Sequence, residues 1–379
     1  MELQVVRTIH PVGQGAFYTE TLHRPGMSDD KHVVYDCGVL PFSNRLEEEV
    51  GNFLPKNSTI DILFISHFHA DHVNGLKLLS KSYKIKHVVL PQIDDYEWFY
   101  IIENYLTTGN ADVGIITDVR SSIGEATIIQ VAPRAENVEE TVSNESIVLD
   151  GREGGIINGL SPLVINQDFV LWHFVVVNPL LKGDLEALKT AIQDIDYNGR
   201  KVSIDDLHNP GVLDDIRADL QAVYSKVFKG GNEYSMCMLS ELANRKEYKS
   251  YSRFNMRNRV CMECYRSGRD CDGGLYCGDA DFLHCDTLDC LKRRLRGREE
   301  NVGILQIPHH GSKENFNIDL LNWLGNIRVS FACFGSPNRY NHPSSDVMGI
   351  AGTYSYAVGV NQFRSNVLTE RIDVRKREG

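Results

Sequence analysis

Three histidines and one aspartate fall within a span of six residues, at His67, His69, Asp71 and His72. Each buried imidazole nitrogen needs a partner, so packing alone gives little reason to gather so many histidines on one turn. The preceding run TIDILFIS has the character of a buried strand, and the following run VNGLKLLSKS has helical spacing. The sequence therefore predicts a ligand-rich turn between a strand and a helix.

The spacing of these four residues suits two cations better than one. Side chains alternate along an extended chain, so His67 and His69 point to the same side, whereas Asp71 and His72 begin the next turn. Imidazole and carboxylate ligands without thiolate suit zinc, manganese or iron, and the usual affinity order places zinc ahead of manganese. Hydrogen-bonded surface histidines are the alternative interpretation.

Two later stretches have related chemistry. GGLYCGDADF places Asp279 after a strand, where a carboxylate can bridge two cations. ILQIPHHGS places His309 and His310 after another strand. Each stretch is weak evidence alone, but together with the histidine-rich turn they indicate one site.

The rest of the chain alternates strands and helices, which predicts an α/β fold. The N-terminal runs LQVVRTI, GQGAFYTETL and KHVVYDCG are typical of a β-meander. Between residues 183 and 229 the runs LEALKTAIQDI and VLDDIRADLQAVYSKVF have helical spacing. These helices form either an α layer on a sheet or an inserted lobe.

Charge and hydropathy exclude some classes of protein. The net charge of -11 over 379 residues argues against a surface that binds nucleic acid or anionic membrane throughout. No apolar run approaches the length of a membrane span, and the N-terminus does not resemble a signal peptide. We therefore expect a cytoplasmic protein without membrane attachment, in which the nine cysteines are reduced or bind metal.

A basic segment with interleaved aromatic residues precedes the Asp279 motif. RKEYKSYSRFNMRNR contains Tyr248, Tyr251 and Phe254, and LKRRLRGR follows further along. Arginine and lysine neutralise phosphates while aromatic rings stack on bases, so these stretches predict a track for single-stranded nucleic acid beside the metals. A solvated basic face is the alternative.

The same region holds a cysteine cluster. Cys261 and Cys264 have the spacing of a metal knuckle. The candidate completing ligands are Cys271, His284, Cys285 and Cys290. The cluster predicts a structural zinc, with reduced buried cysteines as the alternative that Cys37, Cys277 and Cys333 fit best.

The order of motifs resembles the metallo-β-lactamase superfamily, and more narrowly the hydrolase domain of ComEC/Rec2 DNA-uptake proteins. The motifs are VGQGAF, VVYDCG, SHFHADHVNGL, NEYSMCMLSEL, YCGDADF, IPHHGS and GSPNRYNHPSSDVM, from about Pro11 to Met348. The resemblance implies a four-layer αββα sandwich, one domain over residues 1–379. Within it we expect an inserted helical segment at about 183–230 and a basic, cysteine-rich insert at about 241–273.

The resemblance also implies a set of metal ligands. His67 and His69 would bind one cation, and Asp279 would bridge it to a second. The second cation would be bound by Asp71, His72 and His309.

Further roles follow from the resemblance. Asp36 would orient a ligand histidine, and His310 and His342 would contact phosphate or protonate a leaving group. Many members of the superfamily complete the first site with a histidine on a middle strand. His173, in VLWHFVVV, is the candidate here, although a histidine in an apolar strand is more often a core residue.

These expectations define a metal-dependent hydrolase, foremost a phosphodiesterase or nuclease in which a metal-bound hydroxide attacks phosphorus. Asp71 and Asp279 would position or deprotonate the water. The alternatives are hydrolysis of a cyclic nucleotide or lactone, and a metal-stabilised binding protein without catalysis. The expected partner is DNA, RNA or a nucleotide, and a protein partner or homo-oligomer stays open.

Overall fold

The computed structural model describes residues 1–108, 115–135, 143, 145–228, 234–256, 271–338 and 340–378. No helix in these ranges is both long and apolar enough to cross a membrane.

The strands carry the bulk of the architecture. They are β1 Leu3–Ile9, β2 Gly15–His23, β3 Lys31–Val39, β4 Thr59–Phe64, β5 Lys84–Pro91, β6 Thr127–Val131, β7 Ile147–Val148, β8 Gly155–Ile157, β9 Leu163–Val164, β10 Trp172–Val177, β11 Asp196–Tyr197, β12 Arg200–Lys201, β13 Cys237–Leu242, β14 Tyr248–Met256, β15 Gly273–Tyr276, β16 Val302–Gln306, β17 Val329–Cys333, β18 Tyr356–Val360 and β19 Leu368–Lys376.

Helices lie between many of these strands. They are α1 Asn44–Phe53, α2 Ala70–Val73, α3 Leu76–Ser82, α4 Glu97–Thr108, α5 Ile115–Ser122, α6 Lys182–Gln193, α7 Pro210–Asp215, α8 Arg217–Val227, α9 Thr287–Arg294, α10 Ile318–Leu324 and α11 Ser345–Tyr354. Short 3-10 turns occur at Gln167–Phe169, Asp205–His208, Glu299–Asn301, His309–Gly311 and Arg364–Asn366.

Two large sheets face each other. In the described residues one sheet has the order β14-β19-β1-β2-β3-β4-β5-β6-β8, and the other has the order β18-β17-β16-β15-β13-β10-β9-β7. The strands β3 to β6 are parallel, as are β15 to β18. Parallel neighbours end at the same sheet edge, so the loops that follow them meet there.

Three apolar clusters separate the layers. One lies between the sheets and includes Tyr18, Phe64 and Phe174. A second joins the outer face of the first sheet to α1, α3, α4 and α6 to α8, and a third joins the second sheet to α9, α10 and α11. The layer order is helix, sheet, sheet, helix, which confirms the predicted αββα fold.

The helical segment at about 183–230 packs as an α layer. Leu185 and Leu188 of α6 and Leu220 of α8 share one buried cluster with Phe99 of α4. Of the two sequence-based interpretations, the layer on a sheet therefore describes its packing better than a separate lobe does.

Candidate metal centre and active site

The candidate site forms where strand ends from both sheets meet. β4 ends at Phe64 just before His67, and β15 ends at Tyr276 just before Asp279. β16 ends at Gln306, shortly before His310. Ligands that are distant in sequence therefore converge because their strands end at one edge.

Two groups of side chains there have the geometry of metal ligands. His67, His69 and Asp279 form one group, and Asp71, His72, Asp279 and His310 form the other. Within each group the ligand atoms lie within 4.8 Å of one another. Asp279 belongs to both groups, which is the arrangement expected of a carboxylate that bridges two cations.

Asp36 holds the histidine turn in place. Its carboxylate accepts hydrogen bonds from Ser66 N at 2.7 Å, from Ser66 Oγ at 2.7 Å and from His72 Nδ1 at 2.8 Å. The side chain is fully buried, and its φ of 56° is a left-handed conformation that aspartate tolerates. With Nδ1 donating to Asp36, His72 presents Nε2 to the site, which is the orienting role predicted for Asp36.

Two serines hold His67 in a similar way. Ser66 Oγ lies 2.9 Å and Ser235 Oγ 3.2 Å from His67 Nδ1, which leaves Nε2 facing Asp279. Ser235 Oγ also accepts a hydrogen bond from Asp279 N at 2.9 Å. The sequence analysis did not single out Ser235; its place just before the buried strand β13 was the available signal.

A tight turn presents the Asp279 carboxylate. Gly278 has φ of 54°, and a Cβ there would lie 2.9 Å from both Ser235 and Ser66. Gln306 Oε1 accepts hydrogen bonds from Cys277 N and Gly278 N at 2.9 and 3.0 Å. Gly278 therefore permits the close approach, and the Gln306 amide fixes the turn.

The histidine pair differs from the expectation. We expected His309 as a ligand and His310 as a free catalytic group, but His310 is the one that lies in the second group. His310 Nε2 is 3.2 Å from Asp71 Oδ2, while its Nδ1 donates to Cys333 O at 2.8 Å. Both residues have left-handed φ values, 46° and 53°, so the backbone turn rather than the order in sequence decides which ring points inward.

His309 lies at the margin of the site. Its Nδ1 is 2.7 Å from Asn315 Oδ1, and its Nε2 is 3.8 Å from Asp279 Oδ2, the same oxygen that His67 faces at that distance. The ligand role of His309 stays a prediction.

The charges of the site balance one another. Burial and the neighbouring His72 and His69 lower the pKa of His67 well below its usual value, which keeps a nitrogen lone pair available. Burial opposes the charge on Asp279, but His72 and His310 outweigh it and lower the Asp279 pKa. Burial likewise opposes protonation of His72, yet Asp279 and Asp36 raise its pKa. The surroundings that favour a proton beside these carboxylates also favour a divalent cation.

Unpaired polar atoms provide a test of whether cations fit. His67 Nε2, His72 Nε2 and Asp279 Oδ1 are buried without hydrogen-bond partners in the described part of the chain. His72 Nε2 and Asp279 Oδ1 are only 3.1 Å apart, yet they are not aligned as a hydrogen bond. Such atoms are costly in isolation and are explained if His67 and His72 each bind a cation that Asp279 also contacts. The residues present therefore fit a pair of divalent ions bound by imidazole and carboxylate.

His342 adjoins the ligands without joining either group. Its ring centroid is 5.4 Å from that of His309 and 6.0 Å from that of Tyr340. Burial, followed by the charges of His309 and His310, lowers the pKa of His342 to about 4. At neutral pH His342 is therefore uncharged, and it can orient a substrate or accept a proton better than it can donate one.

His173 does not reach the site. It lies on β10 opposite Glu241, whereas the site lies at the other end of this strand pair, where Val177 faces Cys237. His173 Nε2 is 3.0 Å from Ser146 Oγ. The structure therefore does not support His173 as a ligand, because the register places it several residues too far along the strand.

Two members of the predicted cysteine cluster lie apart from each other. Cys271 lies before β15 with its Sγ 3.6 Å from Glu300 O, while Cys285 lies beyond that strand with its Sγ 3.6 Å from the Tyr234 hydroxyl. They occupy opposite ends of β15 and cannot share one zinc ion. Cys261 and Cys264 lie outside the described residues.

Several basic residues of the predicted nucleic-acid track lie around one cavity. Arg245, Lys246, Arg293, Arg296 and Arg298 line one cavity. Its lining residues follow the end of β13 or precede the start of β16, so the cavity lies at the sheet edge opposite the ligands. At the rise per residue of a strand, the two edges are roughly 20 Å apart. The described basic residues that line this cavity therefore lie away from the ligands, and the track for nucleic acid stays a prediction.

The aromatic residues of the basic segment have structural partners. Phe254 is buried between the two sheets. The Tyr251 ring lies under Lys249 and Arg375, at 5.6 and 5.3 Å. Neither ring therefore forms a stacking platform next to the ligands.

A comparison with known protein families matches part of the chain. Residues 26–157 match the model of the metallo-beta-lactamase superfamily. This stretch covers less than half of the 379 residues and includes Asp36 and the complete histidine turn. The match agrees with the αββα fold and with the position of the two ligand groups.

Comparison with individual proteins adds little beyond this. No curated protein matches the chain. The structure of unliganded yeast PDE1 is similar with a TM-score of 0.42 and 10% identity, over 98% of this chain and 99% of that chain. A candidate metallo-beta-lactamase from Thermotoga maritima has a TM-score of 0.24 and 18% identity, over 35% of this chain and 60% of that chain. Likenesses at these scores carry no weight for function.

Proposed function

We propose that the protein is a metal-dependent phosphodiesterase. The observation that carries this proposal is the sharing of Asp279 between two ligand groups, since paired cations bridged by a carboxylate suit attack on a phosphodiester. The motif order similar to the ComEC/Rec2 hydrolase domain supports a substrate that contains nucleotides.

Cations bound by these ligands would polarise a phosphoryl oxygen and favour ionisation of an attacking water. Asp71 and Asp279 provide carboxylate oxygens that position this water or accept its proton. His310 is held at both ends, by Cys333 O and Asp71 Oδ2, so it maintains the geometry of the second group. Uncharged His342 is placed to contact the substrate next to the ligands.

Metal content and turnover test the proposal together. The wild type and an Asp71→Ala, Asp279→Ala double variant are compared by mass spectrometry of bound metal and by hydrolysis of bis(p-nitrophenyl) phosphate and of labelled DNA and RNA. We expect two metal ions per chain in the wild type, and loss of both metal and turnover in the double variant.

Asp29→Asn provides the control, since Asp29 is an exposed loop carboxylate. A wild-type protein that binds two metals but cleaves no phosphodiester would contradict the proposal and favour a lactone or a non-catalytic binding role. Turnover retained in the double variant would contradict the assigned site.

A small substrate is the second candidate, in place of a nucleic acid polymer. The observation that favours it is the distance between the basic cavity and the metal ligands. A polymer bound at the ligands would have to cross the molecule to reach the arginine and lysine side chains of that cavity. On this view the substrate is a nucleotide-sized phosphodiester, and a protein partner or homo-oligomer is not required.

A further inference from the structure

The candidate metal centre takes its ligands from both sheets. His67 and His69 follow β4 of the first sheet, whereas Asp279 follows β15 of the second sheet. The distances between these ligands therefore depend on how the two sheets are joined beneath the site. The contacts that join them at this edge are part of the ligand geometry.

The two sheets are joined at the residue that precedes β13. Met236 N donates to Ser66 O at 2.8 Å, and Met236 O accepts a hydrogen bond from the Tyr35 hydroxyl at 2.9 Å. Tyr35 lies on β3 and Ser66 just beyond β4, so both hydrogen bonds cross from the first sheet to the second. We call these two hydrogen bonds the seam.

The seam adjoins the side chain that holds two of the ligands. Ser235 precedes Met236, and its Oγ lies 3.2 Å from His67 Nδ1 and accepts a hydrogen bond from Asp279 N at 2.9 Å. Because Ser235 and Met236 share a peptide bond, a shift of Met236 also moves Ser235. A displacement at the seam is therefore passed on to His67 and Asp279.

A β-bulge explains how neighbouring residues of β3 reach the seam and the ligands. In the pairing of β2 with β3, Phe17 lies opposite Cys37. The next residue of β2, Tyr18, lies opposite Tyr35, so Asp36 is the extra residue of the bulge. The φ of 56° at Asp36 interrupts the alternation of side chains. Tyr35 consequently points into the core between the sheets, while the Asp36 carboxylate lies at the site.

The Tyr35 ring is held independently of its hydroxyl. It is buried and stacks on Tyr276, with the ring centroids 5.2 Å apart, and on Tyr18 at 6.1 Å. Phenylalanine at position 35 would keep this stack and remove only the seam hydrogen bond. Tyr18 provides the matched comparison, because its hydroxyl is buried and has no hydrogen-bond partner within the described part of the chain.

We propose that Tyr35 is a positioning residue for the first ligand group, which consists of His67, His69 and Asp279. The inference rests on the pair of cations in the proposed function and is independent of the substrate. The Tyr35 hydroxyl fixes Met236, and the serine before Met236 fixes two of the three ligands.

The second group has a different support. His72 is held by Asp36, and His310 is held by a backbone carbonyl of β17, so other contacts orient these two ligands. Asp279 is the ligand common to both groups. Loss of the Tyr35 hydroxyl should therefore weaken the two cations unequally.

Zinc binding in two backgrounds measures this difference. His310→Ala removes a ligand from the second group, and His69→Ala removes one from the first. Each metal-free background is titrated with zinc against a chromophoric chelator, with and without Tyr35→Phe. The visible absorption of the cobalt-substituted proteins reports the ligand geometry, and circular dichroism and thermal unfolding report the fold.

In the His310→Ala background, Tyr35→Phe should lower the zinc affinity by about 2–12-fold, the range of one hydrogen bond, and should shift the cobalt absorption bands. In the His69→Ala background the affinity should remain within about twofold, the scatter of independent sites. Tyr18→Phe should change neither affinity. Ser235→Ala should weaken the same cation as Tyr35→Phe, and the two changes should not be additive, because the serine is the link to the ligands.

The outcomes separate this inference from the proposed function. Equal weakening in both backgrounds, or a lower unfolding temperature with both affinities unchanged, would mean that the hydroxyl supports the fold in general, and would overturn the role of Tyr35. The same affinity loss in Tyr18→Phe would also overturn it. If zinc binding follows the expectation but no phosphodiester is cleaved, the phosphodiesterase proposal fails and the role of Tyr35 stands.

Discussion

Asp36 organises the histidine turn through buried hydrogen bonds. Its two oxygens accept three hydrogen bonds, from the backbone and hydroxyl of Ser66 and from His72. The asparagine isostere offers only one carbonyl oxygen and adds two donors, so it cannot satisfy the same three groups.

We therefore predict that Asp36→Asn weakens metal binding by about 10–100-fold, because His72 loses its fixed orientation. The measurement is a zinc titration against a chromophoric chelator. Asp95→Asn is a matched control, since Asp95 also has a left-handed φ, of 71°, but is exposed. Equal zinc affinity of the Asp36 variant and the wild type would show that His72 needs no such support.

His173 is expected to make the fold sensitive to acid. Burial, followed by the charge of Arg298, lowers its pKa from 6.5 to about 4. Between these two values the unfolded chain binds a proton that the folded protein does not, so stability falls as the pH decreases from about 6.5 to about 4. The loss contributed by this group is at most about 3 kcal/mol.

His173→Gln removes this titration and keeps a polar group beside Ser146. Urea unfolding at pH 7 and pH 4.5 should show a smaller loss of unfolding free energy for the variant than for the wild type. His208→Gln, at an exposed position, is the control. An acid-induced loss that is the same in all three proteins would indicate that other groups dominate.

At the scale of elements, the sequence pattern predicted strands better than it predicted helix breaks. LQVVRTI coincides with β1 because alternating burial leaves a clear period of two. VNGLKLLSKS instead divides between α2 and α3, because Gly75 N donates to Cys37 O and a Cβ at Gly75 would lie 2.7 Å from Cys37 Sγ. That break is set by a contact distant in sequence, which periodicity cannot indicate.

The contact between β3 and α2 permits a prediction about Gly38. An alanine there would bring Cβ to within 2.6 Å of Asp71 O and His72 N, and backbone atoms can relieve this only if α2 moves. We expect Gly38→Ala to cost about 1–3 kcal/mol of stability and to weaken metal binding, because α2 carries Asp71 and His72.

Thermal unfolding and bound-metal analysis measure the two effects of Gly38→Ala. The control is Gly51→Ala in α1, where a Cβ meets nothing within 4 Å. Alanine there should stabilise the helix by about 0.5–1 kcal/mol. Normal metal content in the Gly38 variant would mean that the turn tolerates displacement.

At the scale of the whole molecule, the sandwich brings distant motifs to one edge. Residue types and strand ends were sufficient to predict His67, His69, Asp71, His72 and Asp279 as members of a site, and these residues lie together. The choice between His309 and His310 depends on two left-handed backbone conformations. The role of Ser235 depends on contacts across both sheets, and neither feature has a signature in a single sequence.

Charge is distributed between the two ends of the sandwich. The site end presents imidazoles and carboxylates, while Lys246, Arg293 and Arg296 are exposed at the other end. The overall charge of -11 hides this separation. These exposed basic residues are therefore too far from the site to guide a strand into it.

An Arg293→Gln, Arg296→Gln double variant tests this separation. We expect kcat/KM for bis(p-nitrophenyl) phosphate to remain within about twofold of the wild type, since charges roughly 20 Å away are screened at a Debye length of about 8 Å. The salt slope is the change in the logarithm of the binding constant with the logarithm of the salt concentration. For a single-stranded oligonucleotide, the loss of two phosphate contacts would reduce its magnitude by about 1.4. We expect no such reduction in the arginine variant. Lys201→Gln, Lys226→Gln is the charge-matched control on other exposed elements. A smaller salt slope found only in the arginine variant would mean that a bound strand spans both ends, and it would favour a nuclease over a phosphodiesterase for small substrates.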